Sequence, residues 1–268
     1  MLEAVNLSSE QYRLRYPNVS VGIRRRVSLA AFRFTRRQFV QAIAGEAGIL
    51  ALLGCVRQEQ TMFTLYTFGD SILDCERYNE FGIHPGQLLV KNDDRLFPEF
   101  RGQDLQSRGS ARLEHRAQDG ATVRGLPSQV QGIQSQGQAI ALITIGGNDL
   151  LSGLIRDSGE GIATFANSLN QFVQRLPIRP VLLGNVYDPT LGDDRRNFLG
   201  IDPAIARLNL QRINAAIEEI ANRHGQLVDL HAHFLSGDPS WFTATIEPSL
   251  RGASEVRRAF LPYVLSES

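Results

Sequence analysis

Among the 268 residues there are only two cysteines, Cys55 and Cys75, and a single tryptophan. The cysteines fall on either side of an apparent boundary near residue 61, so a disulfide framework is not expected. No excess of either charge exists: 28 basic residues balance 28 acidic ones. A chain without a basic surplus lacks the electrostatic footprint of a nucleic-acid binder. Long apolar runs are missing too. No stretch reaches the roughly 18–20 residues that a membrane-spanning helix needs. Neither internal repeats nor low-complexity tracts are present. The length suits one large α/β domain with an appendage.

What is present divides the chain in two. Residues 1–61 carry clustered arginines (Arg24, Arg25, Arg26, Arg33, Arg36 and Arg37) and show no alternation of strand and helix patterns. Thr35-Arg36-Arg37-Gln38-Phe39-Val40 looks like a twin-arginine export motif, and Leu52-Leu53-Gly54-Cys55 looks like a lipoprotein cleavage box. Against that, Glu46 interrupts the apolar stretch, and Met62 stands directly before the first strand pattern. Two readings therefore stand side by side. The segment is an export signal or lipid anchor, or translation starts at Met62 and yields a cytoplasmic protein. Under either, the segment lies outside the folded domain, expected over 62–268.

From Phe63 onward, strand and helix patterns alternate, which argues for a parallel sheet with helices on both faces. Phe63–Phe68 is the first strand. Ala111–Ala117 alternates apolar and charged residues, the pattern of an edge strand. Ala139–Ile145 is apolar throughout and belongs in the sheet centre. Val181–Leu183 and Leu227–Leu230 complete five strands. Ile162, Phe165, Leu169, Phe172, Val173 and Leu176 mark one amphipathic helix. A second is capped by Asp202, begins at Pro203, buries Ile205, Leu208, Ile213, Ile217 and Ile220, and ends at Gly225. A last helix runs from Ala253 to Leu265. The region 72–100, rich in Gly and Pro, reads as a long excursion with one helical turn, shaping a cleft next to Ser71.

Three short polar segments sit just past strand ends: Phe68-Gly69-Asp70-Ser71, Asp119-Gly120-Ala121-Thr122 and Gly146-Gly147-Asn148-Asp149. Open parallel sheets bind ligands at the carboxyl ends of strands, where strand order reverses. In a flavodoxin-like order 2-1-3-4-5 these segments converge. A serine hydroxyl can attack an ester carbonyl. The oxyanion that results needs preset donors. A glycine backbone N–H and an asparagine amide are suitable ones.

These segments resemble the SGNH (GDSL-type) hydrolases, and the resemblance covers Phe63 to the C-terminus. It implies a three-layer α/β/α fold and a serine-dependent ester hydrolase acting on a small-molecule ester, without a cofactor or metal. Ser71 takes the role of nucleophile; Ser71, Gly120 and Asn148 supply the oxyanion hole. Asp70 and Asp149 hold their loops in shape.

The family's fourth block has an Asp and a His three residues apart, followed by Pro. Here the matching segment is Ala244-Thr245-Ile246-Glu247-Pro248. Glu247 stands in the His slot and Ala244 in the Asp slot. The base is therefore open. Glu247 itself is one candidate, since carboxylates serve as bases when their pKa is raised. His231 or His233, read as alternating along an extended segment, is another, with His233 preferred. Alternatively, Glu247 merely pairs with Arg251 or Arg257, and the chain is a non-catalytic binding module that has lost its proton relay. No third ligand accompanies the two histidines at a metal-binding spacing. His115 reads as a satisfied core residue, His224 as the end of a helix, and Cys75, Trp241 and Phe242 as packing residues. A nucleotide-binding role finds no glycine-rich phosphate loop after the first strand.

Overall fold

The structure is a computed structural model that describes residues 62–134 and 137–268. The arginine-rich segment, with its export-type motif and Cys55, lies outside the described residues. Among those residues, no helix is long and apolar enough to cross a membrane.

Five parallel strands form the sheet in the order β2-β1-β3-β4-β5. They are β1 (Phe63–Gly69), β2 (Ala111–His115), β3 (Ala139–Thr144), β4 (Val181–Gly184) and β5 (Gln226–Val228). The helices between them, numbered in chain order, are α1 (Pro85–Val90), α2 (Leu126–Gln129), α3 (Gly147–Leu151), α4 (Glu160–Arg175), α5 (Pro203–His224), α6 (Leu230–Leu235) and α7 (Leu250–Ser266). A short antiparallel pair, β6 (Phe242–Thr243) and β7 (Glu247–Pro248), precedes α7.

The period-two geometry of a strand sends alternate side chains to opposite faces. Leu65, Ile140, Leu142, Leu182 and Val228 bury one face, with Leu88 and Leu89 of α1, Phe234 of α6 and Val256 and Phe260 of α7. Phe68, Ala141, Ile143 and Leu183 bury the other, with Phe165 and Leu169 of α4 and Ile213 and Ile217 of α5. The result is three layers, as the alternation of patterns requires.

Four expectations need correction. β2 stops at His115 and does not reach Ala117, although Ala117 is buried. β5 ends at Val228 because the Asp229 side chain accepts from Ala232 N and caps a helix there. His231 and His233 therefore lie on α6, not on an extended segment. Ile205 and Leu208 are not core: they are 47% and 45% exposed, because the buried stripe of α5 begins only at Asn209 and Leu210. The excursion 72–100 is more ordered than a loop. Its α1 buries Leu88, Leu89 and Val90 against the sheet and α7. The caps at Asp202 and Gly225 are as expected. A Cβ at Gly225 would come within 2.2 Å of the Val181 carbonyl oxygen, so close approach is what fixes glycine there.

Candidate active site

β1 turns sharply at Gly69, whose φ is +118°. A Cβ there would sit 1.7 Å from the Thr144 carbonyl oxygen on β3, so only glycine lets the two strand ends lie together. Gln129 binds both backbone groups of this residue: Gly69 N donates to Oε1 at 2.7 Å, and Nε2 donates to Gly69 O at 2.8 Å. Asp70 is 1% exposed, and its Oδ1 accepts from Ile72 N at 3.2 Å and Thr144 Oγ1 at 3.0 Å. The turn so fixed presents Ser71 to a cleft at the carboxyl ends of β1, β3 and β4.

Ser71, Asn148 and Glu247 all line that cleft. Its remaining walls are mostly apolar: Leu150, Ile155, Val186, Leu199, Leu210 and Ile246. It holds ≈120 Å³ of space open to water. Leu151 and Phe198, each 41% exposed, stand among its lining. Asn148 donates one amide hydrogen to Ala121 O at 3.1 Å, which leaves its second hydrogen free. Asp149 of the same turn accepts from Val123 N with both oxygens, at 3.2 and 3.0 Å. The loops after β2 and β3 are thus tied together. Gly120 lies on the first of these, exposed, with φ +78°. It is not a wall of the cleft. Among the described residues nothing accepts from its N–H.

Glu247 opens β7, opposite Thr243 of β6. The intervening turn places Ala244 at φ +45° and Thr245 at φ +76°. The left-handed region is costly for a β-branched residue, on the order of 1–3 kcal/mol. Tyr187 helps hold the turn, donating from its hydroxyl to Ile246 O at 2.8 Å. Glu247 is 8% exposed, and among the described residues its Oε2 has no partner. Neither Arg251 nor Arg257 takes it. Arg251 pairs with Asp238 at 3.4 Å, and Arg257 bonds Asn92 and Ser254. Burial raises the Glu247 pKa, and the nearby Ser71 hydroxyl opposes that rise.

His233 is elsewhere. Its Nε2 lies 3.0 Å from Glu255 Oε2, and its ring stacks on Trp241 at 5.4 Å. The helical turn begun by Asp229 carries both α6 histidines away from the cleft walls. Trp241 is buried against Phe234, as a packing residue. Cys75 is buried, and burial pushes its thiol pKa well up, so it is no thiolate.

A model of the GDSL-like Lipase/Acylhydrolase family matches residues 67–253. The chain belongs to that family. The GDSL-like fold is shared with solved structures of low sequence identity. The acetylxylan esterase Axe2 of Geobacillus stearothermophilus is 20% identical, with 75% of this chain and 93% of that one covered at a TM-score of 0.55. LAE5, an alpha/beta hydrolase enzyme from the metagenome of Lake Arreo, Spain, is 21% identical, with coverage of 78% and 96% and a TM-score of 0.53. A lipolytic protein of the G-D-S-L family from Veillonella parvula is 16% identical, with coverage of 75% and 97% and a TM-score of 0.50. No curated protein matches the chain.

Sequence reasoning missed several residues that shape this GDSL-like site. Gln129, Thr144 and Tyr187 act through long-range hydrogen bonds with no local pattern. Part of the apolar wall comes from 186–210, where Phe198-Leu199 outside any periodic stretch was the available signal.

Asp70 makes the stability of the fold pH-dependent. Burial is the main cause that lifts its pKa from 3.8 to about 7. The folded chain therefore holds this proton more tightly than the unfolded chain. The stability it contributes is full below 3.8 and is lost as pH rises to about 7. The loss integrates to about 4 kcal/mol. Asp70→Asn keeps the acceptor for Ile72 N and Thr144 Oγ1 but leaves an orphan amide, costing about 1–3 kcal/mol. Urea unfolding at pH 8 is expected to show the variant more stable than wild type by roughly 2 kcal/mol. The advantage should vanish or reverse at pH 4. A gain that is the same at both pH values would reject a titrating Asp70.

Proposed function

We propose that the chain is a serine-dependent hydrolase of carboxylic esters in which Glu247 acts as the general base. The observation that carries this reading is the buried Glu247 carboxyl, held by a strained turn and lining the same apolar cleft as Ser71. As Ser71 Oγ attacks the carbonyl carbon, its proton passes to Glu247. The oxyanion is met by the Ser71 N–H and the free hydrogen of the Asn148 amide, and by the Gly120 N–H from the exposed loop beside the cleft, one residue before the Ala121 carbonyl that Asn148 binds. Collapse expels the alcohol, which takes the proton back from Glu247. Water, deprotonated by Glu247, then attacks the acyl-Ser71 ester; collapse releases the acid and expels Ser71 Oγ, which takes the proton back from Glu247. A carboxylate in water is too weak a base for this work. Burial brings its pKa nearer the operating range.

The walls from Leu150 to Ile246 suit an aliphatic acyl group. Burying a methylene is worth about 0.8 kcal/mol, or about fourfold in kcat/KM if the gain is realised in the transition state. With p-nitrophenyl acetate, butyrate, hexanoate and octanoate, kcat/KM is expected to climb until the chain outgrows the walls. A preference for acetate would remove the acyl assignment.

The reading itself is tested with a fluorophosphonate and p-nitrophenyl butyrate. Stoichiometric labelling mapped to Ser71, with hydrolysis, is expected. A folded protein showing neither would leave the binding-module reading.

A further inference from the structure

We propose that Asp74 is the positioning residue that sets the Gly120 N–H as an oxyanion donor, backed by His115 and Thr67. The proposal rests on the esterase reading above for its kinetic consequence, though not for its structural one. Gly120 has few constraints of its own: it is exposed, and a Cβ there would meet nothing within 4 Å. A donor on such a loop is useful only if its neighbours are fixed, because donors must point at the developing charge before the reaction.

The residue before it is held at both ends. Asp119 N donates to Asp74 Oδ2 at 2.8 Å. The Asp119 carboxylate takes the Tyr78 hydroxyl at 2.9 Å and Arg77 Nε at 2.7 Å. Asp74 is itself anchored to the nucleophile turn, since its N–H donates to Asp70 O at 3.1 Å. One carboxylate therefore couples the loop that carries Ser71 to the loop that carries Gly120.

The other oxygen of Asp74 has its own support. Oδ1 lies 3.2 Å from His115 Nε2, and His115 Nδ1 lies 2.7 Å from Thr67 Oγ1. Thr67 and His115 are register partners on β1 and β2. His84, buried and kept neutral chiefly by desolvation with a pKa of about 3, stacks on the His115 ring at 4.0 Å. Sheet register thus fixes the ring, the ring fixes the carboxylate, and the carboxylate fixes the Asp119 peptide next to the donor. No charge is relayed and no substrate is touched, so the role is orientation alone.

Asp74→Ala removes the acceptor. Asp74→Asn restores it: Oδ1 accepts from Asp119 N, and the amide donates to His115 Nε2 when Nδ1 carries the proton. On p-nitrophenyl butyrate, Asp74→Ala is expected to lower kcat about 100-fold, the scale of a misplaced reacting group, with KM little changed. Asp74→Asn should recover to within about fivefold of wild type, because the hydrogen bond and not the charge does the positioning. His115→Phe, which keeps the ring stack and loses the hydrogen bond, guards against misfolding of the alanine variant. It should lower kcat several-fold, again without moving KM.

Amide exchange at Asp119 is read in parallel. It should accelerate in Asp74→Ala and stay protected in Asp74→Asn. If wild type proves inactive, the esterase reading fails while this exchange pattern still supports the positioning role. Equal kcat in Asp74→Ala and wild type, a loss that asparagine does not restore, or unchanged Asp119 exchange would overturn it.

Discussion

Ser71→Ala is expected to reduce kcat for ester hydrolysis by a factor of about a million, and Glu247→Gln by about ten thousand, while the double variant falls no further than Ser71→Ala alone. A nucleophile and its base act as one unit, so removing either removes most of what the pair contributes. Glutamine fills the same volume as Glu247 and keeps an acceptor for the Ser71 hydroxyl, so the variant tests proton acceptance and not packing. The two variants together with His233→Ala separate the candidate bases. His233 is bound to Glu255 and stacked on Trp241, so its loss should change kcat less than threefold if Glu247 is the base. A large loss in His233→Ala with none in Glu247→Gln would reverse the assignment.

The pH profile follows from the same geometry. The base must be ionised, so kcat/KM should fall as pH drops through the Glu247 pKa. That pKa is raised by burial, which puts the acid limb above the ordinary glutamate value of 4.5. Glu247→Gln should abolish that limb in whatever activity remains. A limb that persists would belong to another group.

How much of this could be read in the residues depends on the range of the forces involved. Strand order was legible because burial on one face leaves β2 alternating, whereas burial on both leaves β3 apolar throughout. Placing short segments at strand ends put Ser71, Gly120 and Asn148 together; Ser71 and Asn148 line the cleft with Glu247, whereas Gly120 lies outside its walls. What escaped was set by competition at element ends. Asp229 is a cap as well as a strand residue, and the cap prevailed, turning two histidines expected on an extended segment onto a helix. Ile205 and Leu208 keep the helical period of α5 but lie on turns that precede its buried stripe. The bonds from Gln129 to Gly69 and from Asp74 to Asp119 span 60 and 45 positions, and no local pattern announces them.

The largest effect on stability is expected at Arg257, where alanine should cost about 3–5 kcal/mol of unfolding free energy. Arg257 is fully buried on α7, with its guanidinium 3.3 Å from the centre of the Phe100 ring and 5.1 Å from that of Phe97. Nη1 donates to Asn92 Oδ1 at 2.9 Å, and Nη2 to Ser254 Oγ at 2.7 Å. No carboxylate among the described residues forms an ion pair with it. Burial, followed by repulsion from Arg258, lowers its pKa to about 10, so it remains charged at neutral pH. Two aromatic faces and three neutral acceptors therefore stand in for a counter-ion. Alanine removes these contacts, opens a cavity and orphans Asn92 Oδ1, which also loosens the loop that Asn92 ties to Asp104 and Phe97. Methionine refills the volume and discards the cost of burying a charge, so it should cost less than alanine, about 1–3 kcal/mol for the unpaired Asn92 and Ser254 oxygens. Lysine keeps the charge but cannot span both acceptors, and belongs nearer to alanine. Urea unfolding at pH 7 orders the three. A methionine variant as unstable as alanine would show that the charge on the aromatic faces, and not the filled volume, holds α7 to this loop.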